Sequence, residues 1–263
     1  MRNIRVVFAV LSLSVVLVAG VADELQAQEK RQGWIKRLRY RRELRRELQG
    51  EIQLSGAFAL YPMAVKWAEE FRKIHPKVRI DISAGGAGKG ITDALAKVVD
   101  LGMVSRDIYP QELEKGAFPI AVVKDAVVPT INSNNPLIDQ ILATGLKQQV
   151  AQDLWIHTTA RTWGDVLGTG STIPVHVYTR SDACGAAETF AAWLGAKQED
   201  LEGTAVFGDP GVTSVVQRDK VGIGFNNIAY AYDINSKKPY RHIAVIPLDL
   251  NGNGKICLLY TSD

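Results

Sequence analysis

The sequence has few of the residues that build metal sites or disulfide-stapled folds. Its 263 residues include 2 cysteines and 4 histidines. Two cysteines exclude a disulfide scaffold and a cysteine-rich zinc module. The histidines show no i, i+4 pairing, which excludes a helical histidine metal site. We therefore expect no metal ion. These numbers alone do not exclude a catalyst, but nothing in them calls for one, and we expect no cofactor and no catalytic residues.

Basic residues are scarce outside one short segment. Hydrophobic residues make up 46% and charged residues 22%, which is typical of a globular protein. Residues 28–46 hold nine basic and two acidic residues, so residues 47–263 carry a net charge of −4. A nucleic-acid-binding domain would carry its basic surface on the folded body. The sequence thus predicts no nucleic-acid partner.

The N-terminus has the plan of a secretory signal peptide. Arg2 and Arg5 precede 17 residues without a charge, and small residues follow. We predict a signal peptide over 1–27, with an uncleaved membrane anchor as the alternative. No cysteine lies near the junction, which argues against a lipoprotein. In either case the body is expected to be periplasmic or otherwise extracytoplasmic.

A basic leader helix or stalk is predicted over 28–49. Its segment 30–48 has a narrow apolar stripe with leucine and tryptophan among arginines. A basic amphipathic helix can lie on an anionic membrane surface. The alternative is a solvated leader without a partner.

The body after Gly50 alternates short apolar strands with helical patterns, which is typical of α/β proteins. Three times a strand is followed by a loop of small residues and then a helix, with loops at 55–60, 83–90 and 180–187. Small residues let the backbone approach a ligand, and helix N-termini present free N–H groups. The three loops, with Ser105 and Arg106 at another strand end, predict an anion held by converging helix ends.

Two segments of the chain suggest chemistry other than anion binding. Cys184 lies at a predicted helix N-terminus, which favours a reactive thiol, although a nucleophile also needs a base and the sequence places none beside it. A buried, neutral cysteine is the alternative. Residues 249–260 resemble a calcium loop, but Tyr260 occupies the position of the bidentate carboxylate, which favours a plain turn.

Five motifs in order resemble the PstS-like phosphate-binding subunits of bacterial ABC transporters over residues 50–256. They are Gly56…Pro62…Lys66-Trp67-Ala68, Ala87-Gly-Lys-Gly-Ile91, Asp100-Leu-Gly-Met-Val-Ser-Arg106, Arg180…Gly185…Glu188-Thr-Phe190 and Val221-Gly-Ile-Gly-Phe225. The resemblance implies a type II-like periplasmic-binding-protein fold of two α/β lobes. It also implies crossover strands at 127–131 and 224–228, and an anion delivered to a permease in the inner membrane.

The lobe boundaries follow from that resemblance. Lobe I would comprise 50–130 and an incomplete second part at 229–256, and lobe II would comprise 131–228. Residues 257–263 do not resemble the expected continuation. We expect this tail to reflect a truncation or a sequence-assembly artefact, in which case the full-length protein could complete the calcium-like loop.

The resemblance also implies the ligand-binding residues, from the loops and strand ends named above. They are Ala57, Phe58, Gly88, Lys89, Ser105, Arg106, Arg180, Asp182, Cys184, Gly185 and Ala186. Arg180 and Arg106 would neutralise charge, Asp182 would orient Arg180, and Phe58, Ser105 and Gly185 would line the anion.

This chain departs from the family at several donors. Alanine, phenylalanine and cysteine stand where the family usually has Ser or Thr hydroxyls, and Arg106 stands where some members have an Asp that accepts the phosphate proton. With these departures, the resemblance implies either phosphate bound largely by backbone and arginine, or another oxyanion such as sulfate or tungstate. A sensor or adhesion protein that keeps the fold without the ligand, and a Cys184-dependent enzyme, are the remaining alternatives.

Overall fold

The computed structural model describes residues 30–34, 36, 48–250, 253 and 255–256. The chain divides into two units, Met1–Gln49 and Gly50–Asp263. The predicted signal peptide and tail lie outside the described residues, and residues 30–34 and 36 of the leader are helical. Among the residues the structure describes, no helix has the length and apolar character needed to cross a membrane.

The described residues form ten short strands. They are β1 (Gln49–Gly56), β2 (Lys77–Ala84), β3 (Leu101–Met103), β4 (Val127–Asn132), β5 (Leu146–Lys147), β6 (His176–Arg180), β7 (Thr204–Val206), β8 (Gly222–Asn227), β9 (Ile243–Val245) and β10 (Leu248–Asp249).

Within the described part of the larger unit, eight α-helices connect or cover the strands. They are α1 (Tyr61–Ile74), α2 (Ala87–Leu95), α3 (Pro110–Glu114), α4 (Ile138–Thr144), α5 (Gln148–Trp155), α6 (Trp163–Leu167), α7 (Gly185–Trp193) and α8 (Gly208–Arg218). Single 3₁₀ turns lie at Phe58–Leu60, Gln198–Asp200 and Ile228–Tyr230.

The first sheet has three strands in the order β2-β1-β3, and β1 pairs with β3 in parallel. Parallel strands need helical crossovers, which α1 and α2 supply. Pro62 lies in the first turn of α1, where its missing N–H costs nothing. The carboxyl ends of β1 and β3 meet at Gly56 and Met103, so the loops after them start side by side.

The second sheet has the order β7-β6-β8-β4-β9 and holds the predicted crossover strands. β4 pairs antiparallel with β8 from Val127–Asn227 to Ile131–Ile223. Every residue of β8 is buried. Strands buried on both faces favour continuous small and apolar residues, as Gly222-Ile-Gly-Phe225 provides.

The main core lies against the second sheet. Trp155, Trp163 and Phe225 are among its largest fully buried side chains. Phe190 stacks on Phe225 with ring centroids 4.5 Å apart. Both tryptophans donate their indole N–H to a backbone carbonyl, so their polar atoms are satisfied. This core fixes α7, whose N-terminus enters the candidate site.

The buried side of α1 differs from the sequence pattern. The spacing of Met63, Trp67, Phe71 and Ile74 predicts one apolar helical face, but the structure buries Ala64 and Ala68 and leaves Trp67 and Ile74 exposed. Small alanines allow α1 to lie close to the sheet, so they form its buried side.

The segment 229–256 contains β9 and β10, which pair with two strands from the middle of the chain. β9 pairs antiparallel with β4, and β10 pairs in parallel with β5. The strand pairings thus attach this segment to the five-stranded sheet and to β5. The lobe boundaries stay a prediction.

Candidate anion-binding site

A buried arginine held by two carboxylates lies at the centre of the candidate site. Arg180 ends β6, and its side chain is completely buried. Its Nε and Nη2 donate to the two carboxylate oxygens of Asp182 at 2.9 and 2.7 Å. Its Nη1 donates to Asp209 Oδ2 at 2.7 Å. Bidentate contact of this kind fixes the plane of the guanidinium.

Backbone and amide donors hold the two carboxylates in turn. Gly208 N donates to Asp182 Oδ1 at 3.0 Å. The backbone N and side-chain Nδ2 of Asn227 donate to Asp209 Oδ1 at 2.8 and 2.9 Å. The cluster therefore connects the ends of β6 and β8 with the first turn of α8.

Asp209 is the functional candidate that the sequence analysis missed. It lies in the first turn of α8, after β7. Gly208-Asp-Pro-Gly211 forms the first turn of α8 shortly after β7, so a strand is here again followed by a helix that begins at glycine. This pattern could have drawn attention to Asp209, but the sequence analysis included only the three loops named above.

Arg180 keeps donors for a ligand. A guanidinium has five N–H groups, and the contacts with Asp182 and Asp209 use three of them. One N–H on each terminal nitrogen has no acceptor among the described residues. Such buried donors are costly unless a partner satisfies them.

Phe58 forms one wall beside this arginine. The Arg180 guanidinium carbon lies 5.8 Å from the centroid of the Phe58 ring, and the edge of Phe207 packs on that ring at 5.7 Å. Tyr230 donates its hydroxyl to the Phe58 carbonyl at 3.0 Å. Gly208, with φ +71°, lies so close to the ring that an added Cβ would be 2.9 Å from it.

The glycine-rich loop meets the loop after β6. Gly88 N donates to the Ala183 carbonyl at 3.3 Å. Gly86 has a φ of +92°, and a Cβ there would lie 2.8 Å from the same carbonyl oxygen and 3.1 Å from Asp182 Oδ2. Glycine is thus required by both conformation and space.

The N-terminus of α7 faces the loop after β3. A Cβ on Gly185 would lie 1.9 Å from the Ser105 carbonyl oxygen. The N–H groups of Gly185 and Ala186 have no acceptor within the described part of the chain. With Ala57, whose N donates to Met103 O at 2.8 Å, these residues bring three loop ends together.

Arg106 is bound elsewhere. Its side chain makes a two-pronged contact with Glu112, with Nη1–Oε2 at 2.9 Å and Nη2–Oε1 at 2.7 Å. Its Nε lies 3.6 Å from Glu188 Oε2 in α7, and its guanidinium covers the Tyr109 ring at 4.0 Å. Since two carboxylates already balance this cation, the expected neutralising role of Arg106 has no support in the geometry.

Lys89 also lies apart from the buried arginine. Its Nζ pairs with Asp93 one turn along α2, and its side chain is 46% exposed. Asp93 in turn accepts a hydrogen bond from Ser55 Oγ at 2.6 Å. The structure therefore brings together Phe58, Arg180 and Asp182 and leaves Lys89 on the surface of its own helix.

Cys184 is buried and lies at the N-cap of α7. Its Sγ accepts a weak hydrogen bond from Ala187 N at 3.5 Å. Burial raises the pKa of the thiol to about 12, which outweighs the lowering effect of Arg180. A thiol with this pKa is neutral near pH 7, so the geometry favours the buried, unreactive alternative.

We expect Cys184 to react slowly with a thiol reagent in the folded protein. In a Cys257→Ser variant at pH 8, labelling should be at least about 100-fold slower than in guanidinium chloride, because thiolate is scarce and access is blocked. Labelling as fast in the folded as in the unfolded state would revive the cysteine-enzyme hypothesis.

The Arg106–Glu112 pair predicts a pH-dependent stability. The hydrogen bond from Arg106 lowers the pKa of Glu112 below its usual value. A lowered carboxylate pKa stabilises the fold above the unfolded pKa of about 4.3, and this stabilisation is lost as pH falls through the folded pKa. Glu112→Gln should lower the free energy of unfolding by about 1–3 kcal/mol at pH 7.

Urea unfolding at pH 7 and pH 3 measures this effect. The difference between wild type and Glu112→Gln should shrink at pH 3, because this pH lies below the pKa of the carboxyl in the unfolded chain and part of the stabilisation is already lost there. Glu114→Gln, at an exposed position on the same helix, is the control and should change stability by less than about 0.5 kcal/mol. An equal loss at both pH values would contradict the charge explanation.

A family model described as a PBP superfamily domain matches residues 43–248. The chain belongs to the PBP superfamily. The match spans both sheets and all loops of the candidate site, so the α/β class and the periplasmic-binding-protein fold predicted from the sequence are confirmed.

Two curated relatives show which members of the PBP superfamily this chain is similar to. It is 28% identical over 211 residues to protein SphX of Synechococcus elongatus, covering 78% of this chain and 60% of SphX. It is 28% identical to the phosphate-binding protein PstS of Xylella fastidiosa, covering 68% of this chain and 54% of PstS. The chain thus spans little more than half the length of these curated relatives.

A solved structure agrees with the fold. The match is described as a phosphate ABC transporter substrate-binding protein from Clostridium perfringens with bound phosphate. The TM-score is 0.66 at 25% identity, covering 76% of each chain. The predicted resemblance to PstS-like proteins is therefore confirmed, and the assignment of individual binding residues stays a prediction.

Proposed function

We propose that this protein binds phosphate, or a related tetrahedral oxyanion, between the loops that converge on Arg180. The observation that carries the proposal is the buried guanidinium, which has an unused N–H on each terminal nitrogen. The unpaired N–H groups of Gly185 and Ala186 at the start of α7 add donors of the kind that bind anions.

Hydrogen bonds, rather than net charge, would hold the anion. Arg180 is balanced by Asp182 and Asp209, so the cluster itself carries one negative charge. Oriented N–H groups in a buried site stabilise an anion because each hydrogen bond to a charged oxygen contributes about 1.5–3 kcal/mol. Asp182 would thus serve to aim the arginine rather than to contact the anion.

The loop contacts suggest how an anion reaches a fully buried arginine. The glycine-rich loop donates one backbone hydrogen bond to the loop after β6, from Gly88 N to Ala183 O, and Gly86 packs closely against Ala183 and Asp182. Separation of these two loops would break these contacts and open a path to Arg180. Closure around the anion would restore the contact.

We assign the protein a binding rather than a catalytic role, in a compartment outside the cytoplasm. It would act as the substrate-binding subunit of an ABC importer, with a permease in the inner membrane as its partner. The names of the relatives and the match to a phosphate-bound structure support this role.

A protonless oxyanion such as sulfate or tungstate is the second candidate. Arg106, at the strand end where some relatives have an Asp acceptor, cannot accept a phosphate proton, and its donors go to Glu112 and Glu188. The specific observation is thus the absence of that acceptor at position 106.

Calorimetric titration tests the proposal. The full chain is unfolded and refolded to remove bound anion, then titrated with phosphate, sulfate and tungstate. We expect binding of at least one anion at about micromolar affinity or tighter. Folded protein that gives no heat with any of the three would overturn the proposal, and the order of affinities decides between the two candidates.

A further inference from the structure

A largely apolar groove opens next to the candidate anion site. Its volume is about 730 Å³. The lining residues come from the start of α1, the end of β2, the start of α8 and the turn after β8, and they include Phe58, Tyr61, Val65, Ile82, Pro210 and Tyr230. A groove of this volume, lined mainly by aromatic and aliphatic side chains, is large enough for a small organic molecule.

Three lining residues of the groove also lie close to Arg180 or to the residues around it. The ring of Phe58 lies over Arg180 and also lines the groove. Pro210 follows Asp209, which binds the arginine. Tyr230 donates to the Phe58 carbonyl.

The charges of Arg180 and Asp209 also act on Tyr230, which lines the groove. Burial raises the pKa of Tyr230 above its usual range, and the charge of Asp209 raises it further while that of Arg180 lowers it. The phenol that lines the groove is thus within electrostatic range of both members of the ion pair. An anionic ligand with an apolar part would find complementary chemistry on both sides of Phe58.

Inorganic phosphate has no apolar surface, so it gains nothing from contact with this groove. A phosphate ester has both parts required, namely oxygens for the free N–H groups and a carbon skeleton for the groove. Each Å² of apolar surface removed from water contributes roughly 25 cal/mol, so an aromatic group in the groove adds substantially to the affinity.

We propose that the site binds an organic phosphate monoester, with its phosphoryl group at Arg180 and an aromatic or alkyl group in the groove beside Phe58. This inference rests on the proposed function, which supplies the anion-binding half. It goes further by naming the substrate class.

Val65 offers a variant that affects the groove alone. It lies on α1, is half-buried and lines the groove. Val65→Trp fills the apolar space without touching Arg180, Asp182 or Asp209. Lys73→Trp adds the same bulk at an exposed position of the same helix and serves as the matched control.

The experiment is a calorimetric comparison of phenyl phosphate with inorganic phosphate, using the full chain and both variants. In wild type we expect phenyl phosphate to bind at least about tenfold tighter. Val65→Trp should abolish this advantage and keep the inorganic phosphate affinity within about twofold, which also shows that the variant is folded. Lys73→Trp should behave as wild type.

The outcomes distinguish the inference of an organic phosphate ligand from the proposed oxyanion-binding function on which it rests. If inorganic phosphate binds and phenyl phosphate binds equally or more weakly, the inference is overturned and the proposed function stands. A phenyl phosphate advantage that survives Val65→Trp overturns it too, since the ring then lies outside the groove. If neither ligand binds folded protein, both fail together, whereas binding of phenyl phosphate alone supports the inference.

Discussion

Replacing Arg180 with lysine is expected to weaken oxyanion binding by at least about tenfold, and replacing it with alanine to abolish binding. Lysine keeps the positive charge but has no planar fork. It cannot satisfy both oxygens of Asp182 and also present two further N–H groups to an anion. The affinity loss in Arg180→Lys therefore reports on geometry rather than charge.

The same residue is expected to matter for folding. Arg180→Ala leaves the buried carboxylates of Asp182 and Asp209 without their cation. Breaking a buried ion pair by removing one partner costs about 3–5 kcal/mol, and urea unfolding should show a loss of that size. Arg180→Lys should lose less, because the positive charge remains.

The control for both measurements is Arg161→Ala. Arg161 is exposed and lies outside the cluster, so its loss should leave the anion affinity unchanged and the stability within about 0.5 kcal/mol. Wild-type affinity in folded Arg180→Lys would remove this arginine from the site.

The contacts that could be read from the sequence are the ones between near neighbours in the chain. Arg180 and Asp182 are two residues apart at the end of a predicted strand, so their pairing was foreseeable. Asp209 lies 29 residues further on, and its contact depends on how β7 and α8 fold against β6. Single-sequence patterns carry no information on such distant pairs.

Arg106 shows that sequence patterns also do not predict which partners a side chain contacts. The strand end before it was predicted, and β3 ends at Met103 as expected. Its partners, however, come from α3 and from α7, 6 and 82 positions along the chain. A basic residue beside a predicted anion site is easily interpreted as an anion-binding residue until the carboxylates that bind it are located.

The fold was more predictable than the site, because hydrophobic periodicity reports burial directly. It located β1, β2 and α7 closely, whereas the crossover strands came from the resemblance to the PstS-like family. It failed on α1, where the buried residues are alanines, since the large apolar residues that define the pattern face solvent instead. The pairing of β9 with β4 could not be read from the sequence, since it depends on which sheet edge is free.

Gly185→Ala is expected to disrupt the site without altering any of its polar side chains. The added Cβ would lie 1.9 Å from the Ser105 carbonyl oxygen and 2.4 Å from its Oγ. Atoms cannot approach so closely, and the nearest neighbour is backbone, which cannot rotate away. Either α7 or the loop after β3 must shift.

The shift should reduce both binding and stability. Overpacking of a closely packed contact costs typically about 1–3 kcal/mol, which urea unfolding should detect. The N–H groups of Gly185 and Ala186 move with the helix start, so we expect at least about a tenfold loss of anion affinity in calorimetry.

Gly170→Ala is the matched control for this variant. Gly170 has no heavy atom within 4 Å of an added Cβ, and it is exposed. The same chemical change there should leave anion affinity unchanged and shift stability by no more than about 0.5 kcal/mol. If Gly185→Ala behaved like Gly170→Ala in both measurements, the close contact between α7 and Ser105 would have no part in forming the site, because only a tight contact makes the two glycines differ.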